Sequence, residues 1–271
     1  MKVVLFTNAR DEHNLREWAA HHLLMGFSNI VIFDHKSIIP LTSIFNEFDS
    51  RVSVINCSHL ESNVKMSLMS KASAIAKKMR ANWMLYLDAD EFIVLNTNVW
   101  GIRHFLSKVD KRIDQLAVNW LLFGTSGLTK ELSLPKGELI LDKYVRSDAK
   151  LNQHVKCFVR PTSVIGANNP HFFLTRKPAR TIGTDGRQCS PPFHNIQTPF
   201  YKAPIFIAHY IFQSEGDYKR RKVDLPRDDT STMREIITEL HSKYNERDTV
   251  IVRRKYVDRV RTFLIHKGVI K

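Results

Sequence analysis

The sequence predicts an α/β fold in which a mostly parallel sheet is flanked by helices. Over the first ninety residues, short apolar runs alternate with helical patterns in the order β-α-β-α-β-α-β. This alternation with short connections is typical of a parallel sheet covered by helices. The last of these runs, residues 83–87, is apolar or aromatic at every position, as expected of a buried central strand.

The predicted elements follow one another in a simple order. We predict strands at residues 3–6, 29–33, 51–56 and 83–87, and helices at 15–26, 40–47 and 63–80. We then predict a helix at 98–109, strands at 116–123, 139–146, 154–159 and 205–212, a helix capped by Ser214, and helices at 230–245 and 248–267. Residues 174–203 are predicted to be a long loop, because proline and glycine recur there without periodicity. The predicted organisation is one α/β domain at 1–225, with a basic helical extension at 226–271 packed on it.

The composition is ordinary for a soluble globular chain, but the charge is not. The 271 residues carry a formal net charge of +14, which favours phosphate-bearing or otherwise anionic partners. No apolar run approaches the roughly 20 residues that span a bilayer, and the N-terminus lacks the pattern of a signal peptide. Cys57, Cys157 and Cys189 are widely spaced, which argues against a disulfide framework or a zinc site. We therefore expect a cytoplasmic location. The basic tail could also bring the protein into peripheral contact with an anionic membrane surface.

Acidic residues follow the predicted central strand directly. Asp88 and Asp90 are separated only by Ala89, and they would emerge at the carboxyl end of the strand, where open α/β sheets carry their functional groups. Two close carboxylates repel each other unless a cation lies between them. Mn²⁺ or Mg²⁺ takes oxygen ligands and often retains substrate phosphates as further ligands. The motif predicts a metal–diphosphate site, but Asp-x-Asp alone is equally compatible with a solvated acidic turn.

Two common nucleotide-binding motifs are missing from the sequence. There is no Gly-x-Gly-x-x-Gly after the first strand and no Gly-x-x-x-x-Gly-Lys-Ser/Thr anywhere in the chain. Dinucleotide binding of the usual kind and P-loop hydrolysis are therefore disfavoured. A nucleotide can still bind at the strand ends, where Asp34 closes the second strand and offers a carboxylate to a ribose or base.

Six short motifs in a fixed order give the chain a resemblance to a known group. They are Asp11–Gly26 with its Leu-x-Glu-Trp-x-x-His-His, Phe33–Ser37, Trp83–Phe92, Trp120–Gly127, Lys156–Pro161 with Pro170-His171, and His209-Tyr210 with Ser214 and Lys219-Arg220-Arg221. In this order the chain resembles glycosyltransferases of the GT-A fold, a Rossmann-like sheet, and in particular the family 2-like and family 92-like group. The resemblance covers about residues 3–222. The second motif lacks the usual Asn-x-Ser-x-Asp-Gly pattern.

The resemblance implies transfer of a sugar from a nucleotide-diphosphate donor, a UDP-sugar above all, to a hydroxyl of a glycan or glycolipid. It implies that Asp88 and Asp90 hold Mn²⁺ or Mg²⁺, with His209 as the third ligand and His171 as an alternative. The residues expected at the nucleotide and its diphosphate are Thr7, Asn8, Arg10, Glu12, Asp34, Lys71, Asp88, Ala89, Lys219, Arg220 and Arg221.

The acceptor side of the expected reaction is less defined by the sequence. An inverting reaction needs a general base, and Glu131, His171 and Asp185 lie in loops after the acidic motif. Trp120, Phe172 and Phe173 are either core residues or platforms for sugar rings, and Glu91 is expected to brace the turn below the metal.

Two other classes of protein stay open at this point. A nucleic-acid-binding or membrane-binding module would use the basic tail and leave the acidic pair idle, but no nucleic-acid motif is present and no nucleic-acid partner is expected. A nucleotidyltransferase would share the α/β frame and the metal carboxylates. It would usually carry a glycine-rich loop after the first strand, which this chain lacks.

Overall fold

The computed structural model describes residues 1–96, 101–225, 232–233 and 242–271. The strands in this part of the chain are β1 Val3–Ala9, β2 Asn29–Asp34, β3 Val52–Asn56, β4 Trp83–Tyr86, β5 Glu91–Leu95, β6 Gln115–Leu122, β7 Arg146–Ser147, β8 Val155–Val159, β9 Val164–Asn169, β10 Phe172–Thr175, β11 Thr181–Gly183, β12 Ile205–His209 and β13 Arg247–Asp248. The α-helices are α1 Leu15–Leu24, α2 Leu41–Ile44, α3 Val64–Lys78, α4 Ile102–Ser107, α5 Ile140–Lys143, α6 Glu215–Tyr218 and α7 Ile251–His266.

One large mixed sheet forms the centre of the described structure. Its strand order is β3-β2-β1-β4-β8-β6-β12-β5, and β11 pairs with β6 outside this path. The four strands β3-β2-β1-β4 are parallel, as the β-α alternation predicts. The strand β8 is antiparallel to both its neighbours, and β5 is antiparallel to β12. The predicted α/β class is confirmed, and the sheet is mixed rather than purely parallel.

Both faces of the sheet are buried, which explains the nearly continuous apolar strands. Along β1, Val3 and Leu5 join a core cluster that contains residues of α1 and α7, whereas Val4 and Phe6 join a second cluster built around α3. Successive side chains of a strand point to opposite faces, so a strand covered on both sides is apolar at every position. The carboxyl ends of the parallel strands β1 and β4 lie at one edge of the sheet.

The histidine pair of the first motif covers an edge of the sheet. The backbone of Ile93 in β5 is bonded on its free side by His21, whose Nε2 lies 2.8 Å from the carbonyl oxygen, and by His22, whose Nε2 accepts from the amide at 3.3 Å. The amide of Leu95 donates to the hydroxyl of Tyr256 at 3.0 Å. These side chains complete the hydrogen bonds of an edge strand, and burial lowers the pKa of His21 to about 4, so the ring is neutral.

Two local predictions are wrong, and some strands form where none is predicted. Residues 139–146 do not form a strand, because Ile140–Lys143 is a short helix, and an apolar run of this length does not distinguish the two states. Residues 174–203 are not wholly a loop, because Thr181–Gly183 pairs with β6. The strand Glu91–Leu95 was not predicted, because it begins inside the acidic motif.

One of the two helices predicted in the C-terminal region is described. The helix α7 confirms the predicted helix at 248–267, whereas the predicted helix at 230–245 falls mostly on residues outside the described part, as do residues 98–100 of the predicted helix at 98–109. Part of the basic charge of α7 is paired, since Arg253 and Arg261 both contact Asp142, at 2.7 and 3.0 Å. No helix in the described part of the chain is both long enough and apolar enough to cross a bilayer.

Glu17 links the first motif to the short helix α5 and gives a prediction for stability. Its carboxylate is fully buried and accepts the amides of Ile140 and Leu141 at 2.8 and 3.0 Å. Burial raises its pKa from 4.5 to about 8, against the effect of these two hydrogen bonds. The folded state therefore binds this proton more tightly than the unfolded state. The contribution of protonated Glu17 to the free energy of unfolding is complete at a pH below its unfolded pKa of 4.5. It is lost as the pH rises through about 8, and the loss is at most about 5 kcal/mol.

We expect urea unfolding of the wild type to show this loss of unfolding free energy between about pH 5 and 8. The variant Glu17→Gln should remove most of the dependence of that free energy on pH. The exposed Glu47→Gln is the control and retains the wild-type slope. Equal slopes for Glu17→Gln and the wild type would show that Glu17 is ionised in the folded protein.

Candidate active site

A cavity of about 410 Å³ lies at the carboxyl ends of β1, β4 and β12. Nine of the residues predicted for the site line it: Asn8, Arg10, Glu12, Asp88, Ala89, Asp90, His171, His209 and Arg221. Among the described residues, its basic lining comprises Arg10, Lys65, Lys156, Arg221 and Lys222, and its acidic lining comprises Glu12, Asp88 and Asp90. The excess of positive charge suits an anionic ligand.

Asp88 is held between two lysines. Lys65, in the first turn of α3, donates to Oδ1 of Asp88 and to Oδ1 of Asn8, the latter at 2.8 Å. Lys156, in the middle of β8, donates to Oδ2 of Asp88 at 2.9 Å, and its side chain is only 1% exposed. Burial alone would raise the pKa of Asp88, but the charges of Lys156 and Lys65 outweigh it and hold this pKa well below the usual value. Asp88 is therefore ionised, and both its oxygens are engaged.

Asp90 is more deeply buried and faces a different set of partners. Its Oδ2 accepts from Arg221 at 2.8 Å and from Lys222 at 3.0 Å. Its Oδ1 accepts no hydrogen bond from the described residues and lies 3.6 Å from Nε2 of His209. Burial would raise the pKa of Asp90, but Lys222, Arg221 and His209 together hold it well below its usual value. The side chain thus carries a full charge with one oxygen directed at an imidazole.

Glu91 lies directly beneath the acidic turn. Its Oε2 accepts the amide of Asp88 at 2.8 Å and lies 3.4 Å from Nζ of Lys156. Its backbone carbonyl accepts from Nε1 of Trp18 at 2.8 Å. Burial raises the pKa of Glu91, since the side chain is fully enclosed and Lys156 offsets only part of the cost. These contacts fix the turn that presents Asp88 and Asp90.

The basic segment after α6 connects the cavity to the loop after β1. Ser214 caps α6 by accepting the amide of Asp217 at 3.1 Å, and the chain continues into a π-helical turn at Lys219–Val223. In this turn, Arg221 is almost fully buried and its Nε bonds Glu12 at 2.8 Å. The wider helical turn places Arg221 and Lys222 side by side on Asp90.

Aromatic rings form another part of the lining. The indole of Trp120 lies 4.4 Å from the ring of His209, 5.0 Å from that of His171 and 5.4 Å from that of His154 between centroids. Trp120 and His171 line the cavity together with Pro170. We call Trp120, Pro170 and His171 the aromatic wall.

Seven predicted site residues do not line this cavity. They are Thr7, Asp34, Lys71, Glu131, Asp185, Lys219 and Arg220.

Most of these seven have other contacts. Asp34 accepts the amides of Ser37 and Leu41 and so shapes the turn after β2. Glu131 pairs with His13 and Arg220, and Asp185 pairs with Arg187 and His194. Thr7 is buried in β1, Lys71 lies over the ring of Phe33, and Lys219 is exposed. Their assignment to the nucleotide or to the base stays a prediction.

Sequence reasoning missed Lys65, Lys156 and Lys222 as site residues. A signal existed for Lys156, because it is the one charged residue in the apolar strand Val155–Val159, and a lysine is almost never fully buried unless it is paired. No comparable signal marks Lys65, which lies in an ordinary helical pattern.

The fold and this cavity together define an α/β protein whose cavity suits an anionic ligand. Residues 4–249 match the model of glycosyltransferase family 92, so the chain belongs to this family of glycosyl transfer enzymes, and the predicted resemblance is confirmed. No curated protein sequence matches the chain significantly.

Solved structures of other glycosyltransferases show only distant similarity. TarS 1–349 of S. aureus is 14% identical, with 60% of this chain and 48% of that chain covered and a TM-score of 0.36. The same protein in complex with UDP-GlcNAc is 15% identical, covers 60% and 46%, and gives a TM-score of 0.34. GlyE of Streptococcus pneumoniae TIGR4 is 16% identical, covers 60% and 34%, and gives a TM-score of 0.28. The chain thus spans about half or less of the length of these structures.

Proposed function

We propose that the chain transfers a glycosyl group from a nucleoside diphosphate sugar to a hydroxyl of a glycan or glycolipid, with UDP-sugars as the first donors to test. The observation that carries this proposal is the basic lining around Asp88 and Asp90. When the glycosidic bond to the donor breaks, negative charge grows on the departing diphosphate. Lys222 and Arg221 line the cavity and would neutralise part of that charge. Lys65 and Lys156, which contact Asp88 in the same lining, would supply further positive charge.

We further propose that Mn²⁺ or Mg²⁺ binds at Oδ1 of Asp90 and Nε2 of His209. The pair fits a cation, because Oδ1 of Asp90 is buried without a hydrogen-bond partner among the described residues and lies 3.6 Å from Nε2 of His209 in the cavity lining. A carboxylate with an imidazole favours Mn²⁺ over Mg²⁺. When bound, the metal would supply further positive charge at the diphosphate. Asp88 would contribute less, since lysines engage both its oxygens.

The charge balance predicts that the metal and the nucleotide bind together. The described residues contain no cluster of three or more histidine, cysteine or acidic side chains that would hold a metal alone. The cavity is already basic, so a divalent cation needs phosphate oxygens as further ligands. In a thermal-shift panel of UDP, GDP, CDP and ADP, we expect one nucleotide with Mn²⁺ to raise Tm by about 5 °C at a hundredfold excess over its Kd. Mn²⁺ alone should give almost no shift.

A pair of lysine variants provides the control for this experiment. Lys222→Met should weaken the nucleotide shift, because it removes a cation from the cavity, whereas Lys111→Met changes an exposed lysine and should leave the shift intact. If no nucleotide stabilises the protein with or without Mn²⁺, the proposed function is wrong.

A further inference from the structure

His171 is held in one tautomer at the tip of the β9–β10 hairpin. Its backbone amide donates to Oδ1 of Asn169 at 2.9 Å, and its Nδ1 lies 3.0 Å from the carbonyl oxygen of Val155. A carbonyl oxygen only accepts, so Nδ1 carries the hydrogen. In the neutral ring, Nε2 then bears a lone pair, and it has no hydrogen-bond partner among the described residues.

The surroundings of His171 keep the ring neutral. Burial lowers its pKa to about 4, and the neighbouring charge of Lys156 acts in the same direction. The imidazole is therefore unprotonated near pH 7 before any ligand binds. A lone pair free at Nε2, with Nδ1 fixed to a carbonyl, is the geometry of a proton acceptor. Its low pKa makes the ring a weak base until an anionic ligand beside it favours the protonated form.

The other groups of the cavity are already engaged by cations. Arg221 bonds both oxygens of Glu12, at 3.1 and 2.8 Å. Asp88 is bound by two lysines, and Asp90 is bound by Arg221 and Lys222.

The other two candidates for the base lie outside the lining of this cavity. Glu131 and Asp185 pair with basic residues and do not line the cavity. Outside the proposed metal pair, Nε2 of His171 is thus the atom of the described cavity lining that keeps a lone pair without a hydrogen-bond partner.

We propose that His171 is the general base of the reaction and that the aromatic wall receives a sugar ring of the acceptor. The inference rests on the proposed function and adds the acceptor side to it. The apolar face of a pyranose packs against the indole of Trp120, whose ring lies 5.0 Å from that of His171. This placement brings a hydroxyl of the acceptor to Nε2 of His171.

The proposed step is a direct displacement. The acceptor oxygen forms a bond to the anomeric carbon as the bond from that carbon to the diphosphate oxygen breaks, and the electron pair leaves with the diphosphate. The hydroxyl proton passes to Nε2 of His171, which becomes an imidazolium. Attack from the face opposite the leaving group inverts the anomeric configuration.

The test uses the full chain with UDP-glucose, UDP-galactose and UDP-N-acetylglucosamine as donors and methyl pyranosides as acceptors. His171→Gln should lower kcat for transfer by about 10²–10⁴-fold while the thermal shift with UDP and Mn²⁺ is unchanged. Hydrolysis of the donor by water should fall in parallel, which supplies the readout if no methyl pyranoside accepts the sugar. Added imidazole should restore part of the activity of His171→Ala. Trp120→Leu should raise KM for the acceptor, because it removes the indole on which the sugar ring packs.

His104→Gln is the matched control, because this histidine is exposed and does not line the cavity. Its rate should stay within about threefold of the wild type. The inference is overturned if His171→Gln retains wild-type turnover, or if the product keeps the anomeric configuration of the donor. Either result leaves nucleotide binding intact and the proposed function standing, whereas loss of all nucleotide binding by the wild type would reject the proposed function itself.

Discussion

Replacing Asp90 with asparagine is expected to lower the turnover of a nucleotide-sugar donor by about 10²–10³-fold. The carboxylate has two roles that an amide does not fill. Its Oδ2 accepts from both Arg221 and Lys222, and its Oδ1 faces His209 in the proposed metal pair. An amide carries no charge and presents only one acceptor oxygen, so either the basic pair or the metal loses its partner. Initial rates of donor hydrolysis or sugar transfer measure the effect.

The matched control for this variant is Asp110→Asn. Asp110 is also an aspartate paired with an arginine, at 2.6 Å from Arg112, but it lies on the surface outside the cavity. Its neutralisation should leave turnover unchanged. Circular dichroism of both variants would separate loss of chemistry from loss of fold. Wild-type turnover by Asp90→Asn would show that neither the metal pair nor the contact with Arg221 matters for the reaction.

The position of the acidic pair is predictable from the sequence because it depends on local pattern. A run of apolar residues at 83–87 requires burial on both faces, and its end must lie at the carboxyl edge of the sheet. The structure places Asp88 and Asp90 at that edge. The same apolar pattern predicts the parallel strands β1 to β4, whose side chains are buried on both faces of the sheet.

The partners of the acids are not predictable in this way. Lys65, Lys156 and Lys222 reach the pair from three separate segments, and nothing local in the sequence indicates that their amines converge. The pairing of β5 with β12 is equally long-range, since it joins residues more than one hundred positions apart. Such contacts follow from the packing of the whole sheet.

The histidine pair of the first motif is an example of residues whose sequence pattern suggests chemistry but whose contacts are structural. Two adjacent histidines beside a glutamate and a tryptophan resemble a catalytic cluster. In the structure His21 and His22 bond the backbone of β5, and Glu17 bonds the start of α5. Their polar atoms satisfy buried backbone groups, which is a structural requirement of an edge strand enclosed by helices.

The replacement of Lys156 by methionine is expected to destabilise the fold strongly. Its ammonium group is buried between Asp88, at 2.9 Å, and Glu91, at 3.4 Å. Methionine has a similar length but no charge, so the substitution leaves a buried carboxylate without its cation. Breaking a buried pair in this way costs about 3–5 kcal/mol. Urea unfolding should show a loss in that range, because Asp88 retains Lys65 but the fully buried Glu91 loses its cation partner. The exposed Lys111→Met should change the free energy of unfolding by less than about 0.5 kcal/mol.

A double-mutant cycle identifies which carboxylate loses its partner. Glu91 is fully buried, and Lys156 is its cation partner among the described residues, whereas Asp88 also has Lys65. Adding Glu91→Gln to Lys156→Met should therefore recover more stability than adding Asp88→Asn. Without Lys156, the buried Glu91 must either keep an unpaired charge or take up a proton, and glutamine removes both costs. A larger recovery of unfolding free energy with Asp88→Asn would mean that Lys65 by itself does not compensate the charge of Asp88. In that case both lysines are needed to keep the first acid of the pair ionised at the edge of the cavity.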